Sequence, residues 1–191
     1  MHEIDMSNGR ENFAHAGRKA WHGLGIAVAG LMTVREALIA GGVDYQVEKR
    51  PIWAEDNGFA TVAVPGHFAT LRTDTMQPLG VVGSRYEVVQ NRDALSFFDP
   101  ALGENAAAID CVGSLAGGKR AFILAKVPEV VEIVPGDVIE RYLLFSNSHD
   151  GSSAVEVLFT PVRVVCQNTL SAALSGSKRG KAGRVSIRHT A

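Results

Sequence analysis

The sequence predicts an α+β fold in which antiparallel β-hairpins and a meander carry a helix packed on the sheet, a β-β-β-α-type core. Apolar-rich runs of strand length alternate with φ-permissive turn residues along most of the chain, whereas only three stretches have helix punctuation. In the second half, four strand-like runs precede one longer helical run. With 191 residues, 46% hydrophobic and 20% charged, the chain is long enough for one well-buried core and short for two. The expected organisation is an irregular N-terminal extension over 1–32, a single α+β domain over 33–175 and a basic C-terminal arm over 176–191.

The elements follow from local signals. Thr33-Val34-Arg35-Glu36 has the form of a capping box, and Val34, Ala37 and Leu38 share a helical face before Gly41-Gly42 stops it, which gives a short helix Thr33 to Ala40. Tyr45 to Trp53, Thr61 to Val64 and His67 to Thr73 read as strands separated by the turns Asp56-Asn57-Gly58 and Pro65-Gly66. Leu79 to Val89 is strand and turn. Asn91 is placed to cap a helix through Ala94, Leu95, Phe97 and Phe98 that Asp99-Pro100 ends. Two hairpins follow, Ile109 to Leu115 with Lys119 to Val127, and Arg141 to Ser148 with Ser153 to Phe159. The last helix is expected to start at Thr160-Pro161, to carry Val162, Val165, Cys166, Thr169 and Ala173 on one face, and to end at Gly176.

Charge is distributed unevenly. Val157 to Ala191 holds no Asp or Glu but six cations, Arg163, Lys178, Arg179, Lys181, Arg184 and Arg188, so the remaining 13 of 19 Lys+Arg face all 20 Asp+Glu before it, +6 against −7. A local excess of that size attracts polyanions, with nucleic acid first among them, although such a run is more often a solvated, flexible terminus. Gly176, Gly180 and Gly183 fit a mobile basic arm. Met1 to Arg10 carries acidic residues where a secretory signal carries basic ones, and the apolar run Gly23 to Met32 is about half of the roughly 20 residues that span a bilayer. A cytoplasmic protein without a membrane segment is expected. Cys111 and Cys166 have neither disulfide-framework nor zinc spacing and read as buried thiols.

Three constellations could carry chemistry. Gly113 to Arg120 fits a phosphate loop until Arg120 replaces the magnesium-ligating hydroxyl, and the strand-like Ala121 to Val127 follows where a helix is needed, so a hairpin turn is the better reading. Cys166, His149 and Asn168 supply the residue types of a thiol hydrolase, but Cys166 falls on an apolar helical stripe and His149 precedes the turn residues Asp150-Gly151. A metal site from His149, Asp150 and His67 or Glu156 lacks ligand spacing, and no cofactor is implied. Trp21-His22-Gly23-Leu24-Gly25 reads as an aromatic anchor beside glycines that permit close backbone approach.

The order of His2-Glu3-Ile4-Asp5, Trp21 to Gly25, Tyr45 to Pro51, Val82-Gly83-Ser84-Arg85-Tyr86, Gly113-Ser114-Leu115 with Gly118, Ser148 to Ser152 and Thr160 to Leu170 resembles the phage- and plasmid-like proteins of the domain-of-unknown-function family numbered 932. The resemblance spans nearly the whole chain and implies a role in the DNA metabolism of mobile elements or in resistance to host defences. Ser186 to Thr190 is similar to the lead-in to a further helix, which implies a shortened member. The order of hairpins and one helix is also similar, in topology alone, to the core of single-strand annealing proteins such as Red-beta, Erf, Sak and the Rad-type mediators. That likeness implies a homo-oligomeric ring or filament holding single-stranded DNA in a cationic groove, without bond chemistry. Lys119, Arg120, Lys126, Arg141, Arg163, Gln167, Asn168, Lys178 and Arg179 are the candidate contacts. The expected function is single-stranded DNA binding and annealing in the cytoplasm of a bacterial host. An anti-defence protein that binds a host protein is the alternative and a Cys-dependent hydrolase the third reading, binding being favoured over enzymatic activity.

Overall fold

The computed structural model describes residues 2–30, 32–95, 107–134, 137–176 and 183–190. Seven strands form the main sheet. They are β1 (Phe13–His15), β2 (Ile26–Ala27), β6 (Ala108–Leu115), β7 (Arg120–Val134), β8 (Asp137–Ser148), β9 (Val155–Thr160) and β10 (Arg184–Ile187), in the spatial order β10-β9-β8-β7-β6-β1-β2. All pairs are antiparallel except β1 with β2. A second sheet has the order β3-β4-β5, from Val47–Asp56, Phe59–Arg72 and Pro78–Gly83. The helices are α1 (Val34–Ala40), α2 (Asn91–Leu95) and α3 (Gln167–Gly176).

Strand alternation gives the main sheet two apolar faces, each with its own cover. On β7, Ala121, Ile123 and Ala125 pack with Val34, Ala37 and Leu38 of α1 and with Ala94 and Leu95 of α2. The intervening Phe122 and Leu124 pack on the other side with Val164, Val165, Leu170 and Ala173, so α3 covers that face. The expected sheet with a helix across it is present, with further helices on the opposite face. α1 has both arms of its capping box: the Glu36 N–H donates to Thr33 Oγ1 and the Thr33 N–H donates to Glu36 Oε2.

Four local expectations are corrected. The segment 1–32 is not an irregular extension: β1 lies inside the sheet, and Phe13 and Ala14 have no exposed surface. Pro65-Gly66 does not separate two strands but forms a bulge within β4, where Pro51 pairs with Phe68 and Trp53 with Ala63. The final helix begins at Gln167 rather than Thr160-Pro161. The described part of the basic arm is also structural, because Arg184 to Ile187 pair with Leu158 to Val155 and His189 is buried. Phe97, Phe98 and Asp99-Pro100, assigned to the end of the second helix, lie outside the described residues.

The two sheets meet through a buried polar seam. Arg72, at the end of β4, has a side chain 1% exposed; it donates to Asp5 Oδ2 at 2.6 Å and to Asp74 Oδ1 at 2.7 Å, and lies 4.0 Å from the centroid of the Tyr45 ring. Desolvation opposes its charge, and hydrogen bonds to Asp74 and Asp5 more than offset this. Tyr45 donates to the Gly118 carbonyl at 2.7 Å, which ties the small sheet to the β6–β7 turn.

Candidate nucleic-acid interface

The cations expected to form one groove are distributed to separate places. On β7, Arg120 pairs with Ser148 and Lys126 with Tyr142, so they lie six positions apart, about 20 Å along a strand. At the far end, Lys126 is ion-paired with Glu140. Arg163 donates through Nε to Asp110 Oδ2 at 2.7 Å, with the two side chains only 14% and 11% exposed. The anion that Arg163 meets is a carboxylate of this chain, and the residue precedes α3 instead of lying within it. The Arg141 guanidinium sits 5.2 Å from the Phe159 ring centroid on the α1 side of the sheet. Gln167 donates through Nε2 to Ser171, and Asn168 is exposed on the first turn of α3. Lys178 and Arg179 lie outside the described residues.

Lys119 and Arg120 sit at the near end. The Lys119 carbonyl accepts the His149 N–H at 2.8 Å, and Arg120 Nη2 donates to Ser152 Oγ at 3.2 Å, so both adjoin the β8–β9 turn. That turn is held internally. Asp150 Oδ1 accepts from the Ser148 hydroxyl and the Ser152 N–H; burial raises the carboxyl pKa, but these bonds with the nearby Arg120 outweigh it and leave it below its ordinary value.

Two further segments converge on this turn. Lys49 of β3 donates from Nζ to the Ser84 carbonyl at 2.9 Å and the Tyr86 carbonyl at 2.7 Å, fixing the loop after β5. Tyr86 then donates to the Ser148 carbonyl at 3.0 Å, and its ring stacks on His189 with centroids 4.9 Å apart and planes 15° from parallel. The Glu87 N–H donates to the His189 carbonyl at 2.7 Å, and Tyr86 forms an isolated bridge with Thr190.

Three of the runs singled out in the sequence, Val82 to Tyr86, Ser148 to Ser152 and Ser186 to Thr190, therefore wall one open groove. It consists of two adjoining depressions of about 410 and 300 Å³ that share Tyr86, Gly151 and Thr190. Arg85 lines the first and Arg188 the second, and both side chains are exposed. Gly66, at φ +72°, and Gly83 have nothing within 4 Å of where a Cβ would stand, so a ligand can approach the main chain there. Neither arginine is among the cations that the sequence marks as contacts: Arg85 lies in the Val82 to Tyr86 run, and Arg188 belongs to the basic tail. The alternation Arg184-Val185-Ser186-Ile187 was the available sign that this tail is a strand.

The candidate thiol chemistry is not assembled around Cys166. Its Sγ is 3.4 Å from Thr169 Oγ1, whereas the His149 ring bonds Asn91 Oδ1 at 2.9 Å. Cys111 is fully buried, and burial drives its thiol pKa well up. Among the described residues, no group of three or more His, Cys, Asp or Glu side chains could hold a metal ion, and no helix is long and apolar enough to cross a membrane.

The fold and groove define an α+β protein with a compact, polar, open surface site built from backbone, serine hydroxyls and arginines. The family model described as a domain of unknown function (DUF932) matches residues 78–191, more than half of the chain, and the chain belongs to that family. The matched span starts at β5 and contains Arg85, Arg120 and Arg188 together with the groove's three converging runs. No curated protein and no solved structure matches the chain.

Proposed function

We propose that the groove at Arg85, Gly151 and Arg188 holds the phosphate backbone of single-stranded DNA, and that the protein binds and anneals single strands without making or breaking bonds. The observation that carries this reading is the placement of two exposed arginines along an open groove with an approachable main chain. A guanidinium offers a planar fork of donors that matches phosphate geometry, and an open trough lets a polymer pass through. Arg120 adds a third cation at the rim, partly balanced by Asp150. Lys126 and Arg163 supply no such surface because each is matched to a carboxylate. The proposal places the protein in a bacterial cytoplasm, in recombination of a phage or plasmid.

Fluorescence anisotropy with a labelled oligonucleotide tests it across a salt series. Log K should fall against log salt by about 0.7 per phosphate contact, and Arg85→Ala with Arg188→Ala should lower the slope by about 1.4. Affinity at low salt should drop at least about tenfold, in keeping with charge-assisted contacts of about 1.5 kcal/mol or more. Lys126→Ala should leave the slope unchanged. Salt-insensitive binding, or a double variant that binds like the parent, would remove the groove from the reading.

A further inference from the structure

β3 and β4 run on past β5. Their pairing continues through Trp53 with Ala63 and Ala54 with Val62 to Asp56 with Phe59, whereas β5 ends opposite His67. Among the described residues the ribbon Ile52 to Gly66 thus has two strands and no third, and it extends about 17 Å at about 3.4 Å per residue. Trp53 and Val62 are each 58% exposed, and their register puts them on opposite faces of the ribbon. Two strands alone are marginal in water, and uncovered tryptophan and valine add to the gain from covering them. The ribbon also contains no Lys or Arg and carries Glu55 and Asp56 at its tip.

The matching surface lies at the edge of the main sheet. Among the described residues β10 pairs with β9 alone, and Phe159, Val185 and Ile187, which share one face, are 45%, 58% and 48% exposed. Arg141 lies over Phe159 on that face. The acid of β9, Glu156, points to the opposite face, where it binds Arg184 and Ser186. That face of the edge therefore joins apolar side chains to one guanidinium, Arg141, with no carboxylate from β9 or β10 on it, and the ribbon is apolar and acidic.

We infer that the acidic ribbon of one copy docks on the β9–β10 edge of a second copy of this chain. Donor and acceptor are different surfaces, so the contact is heterologous, and each copy keeps one of each free for the next. Such a contact propagates into a ring or a filament. It does not depend on what the groove binds, since Trp53 and Val62 of the ribbon and Phe159, Val185 and Ile187 of the edge line neither of its depressions.

Sedimentation velocity over a concentration series tests the inference on the whole chain. The parent should assemble beyond a dimer, and Trp53→Glu or Val185→Glu should each weaken assembly at least about tenfold, leaving monomer. Mixed in equal amounts, the two variants should form a dimer and nothing larger, because Val185→Glu retains an intact ribbon and Trp53→Glu an intact edge. Both positions are exposed, so circular dichroism should show parental folding, and Asp56→Lys at the tip gives a second ribbon variant if Trp53→Glu misfolds. A parent that is monomeric at every concentration overturns the inference. An assembly that survives either substitution, or a mixture that stays monomeric, does the same.

Discussion

Arg72→Ala is expected to destabilise the protein by about 3–5 kcal/mol, the usual cost of removing one partner from a buried ion pair. Arg72 and Asp5 have side chains 1% and 0% exposed, so alanine leaves the Asp5 carboxylate in the seam with neutral donors, the Ser7 N–H and hydroxyl and the Asn12 amide. It also uncovers the Tyr45 ring, whose hydroxyl burial pushes up to about 12 and which must therefore stay neutral and paired with Gly118. For a domain with a total stability of about 5–15 kcal/mol, such a loss approaches unfolding. Urea titration at neutral pH measures it. Arg72→Met with Asp5→Asn should recover part of the loss, since no buried charge then remains unpaired. In the parent, desolvation raises the Asp5 pKa, but hydrogen bonds from Ser7, Asn12 and Arg72 outweigh it and leave it below 3.8. Its contribution is therefore complete above about pH 4 and is lost as pH falls through the lowered value. A loss of less than about 1 kcal/mol in Arg72→Ala would mean that the seam does not join the two sheets energetically.

The seam shows what could and could not be read from sequence. Turns and caps with a local cause were legible: Thr33 and Glu36 make the capping box on their own, and the hairpins at Asn57-Gly58, Ala116 to Gly118 and His149 to Ser152 need only their own φ-permissive residues. The start of α3 was not legible, because distant groups decide it. Val164 gives its carbonyl to the Cys111 thiol and Val165 gives its carbonyl to the His22 ring, while the Thr169 hydroxyl accepts the N–H groups of Val165 and Cys166. A proline after a threonine looks like a helix start, but here Thr160 Oγ1 accepts the Val162 N–H in a local turn. The groove was half legible. Its three runs were recognisable as runs, but their meeting depends on Lys49 reaching across to the Ser84 and Tyr86 carbonyls, a contact between residues 35 and 37 positions apart. Charge counting favoured the tail for the same reason, since Arg163 and Arg184 lose their apparent freedom only when Asp110 and Glu156 are seen beside them.

Acidification from pH 7 to pH 5 should destabilise the protein well before its carboxylates titrate, because His149 is kept neutral. Its ring is fully buried beneath the groove turn and 5.8 Å from the Tyr45 ring. Asn91 Oδ1 already accepts from the Asn147 amide, so His149 Nε2 carries the proton and donates to that oxygen, leaving Nδ1 buried without a partner among the described residues. Burial, then the neighbouring His189 and Arg72, lower its pKa from 6.5 to about 3, with Asp150 opposing them. The unfolded chain takes up this proton near pH 6.5 and the folded chain does not. Stability is therefore complete above about pH 6.5 and falls by about 1.4 kcal/mol for each pH unit below it, on the order of 4 to 5 kcal/mol by pH 3. His189, whose pKa burial also lowers, adds to the loss. His149→Phe keeps a ring against Tyr45 and leaves Asn91 Oδ1 bonded to Asn147, so it should remove about one proton's worth of slope between pH 6.5 and 5. Urea midpoints of parent and variant across that range are the measurement. If the parent's stability is flat there, His149 is not held neutral in the folded state. If it falls as expected, the Lys119 to Ser152 end of the groove should loosen with it, since the His149 N–H and carbonyl hold Lys119 and Thr70 in place.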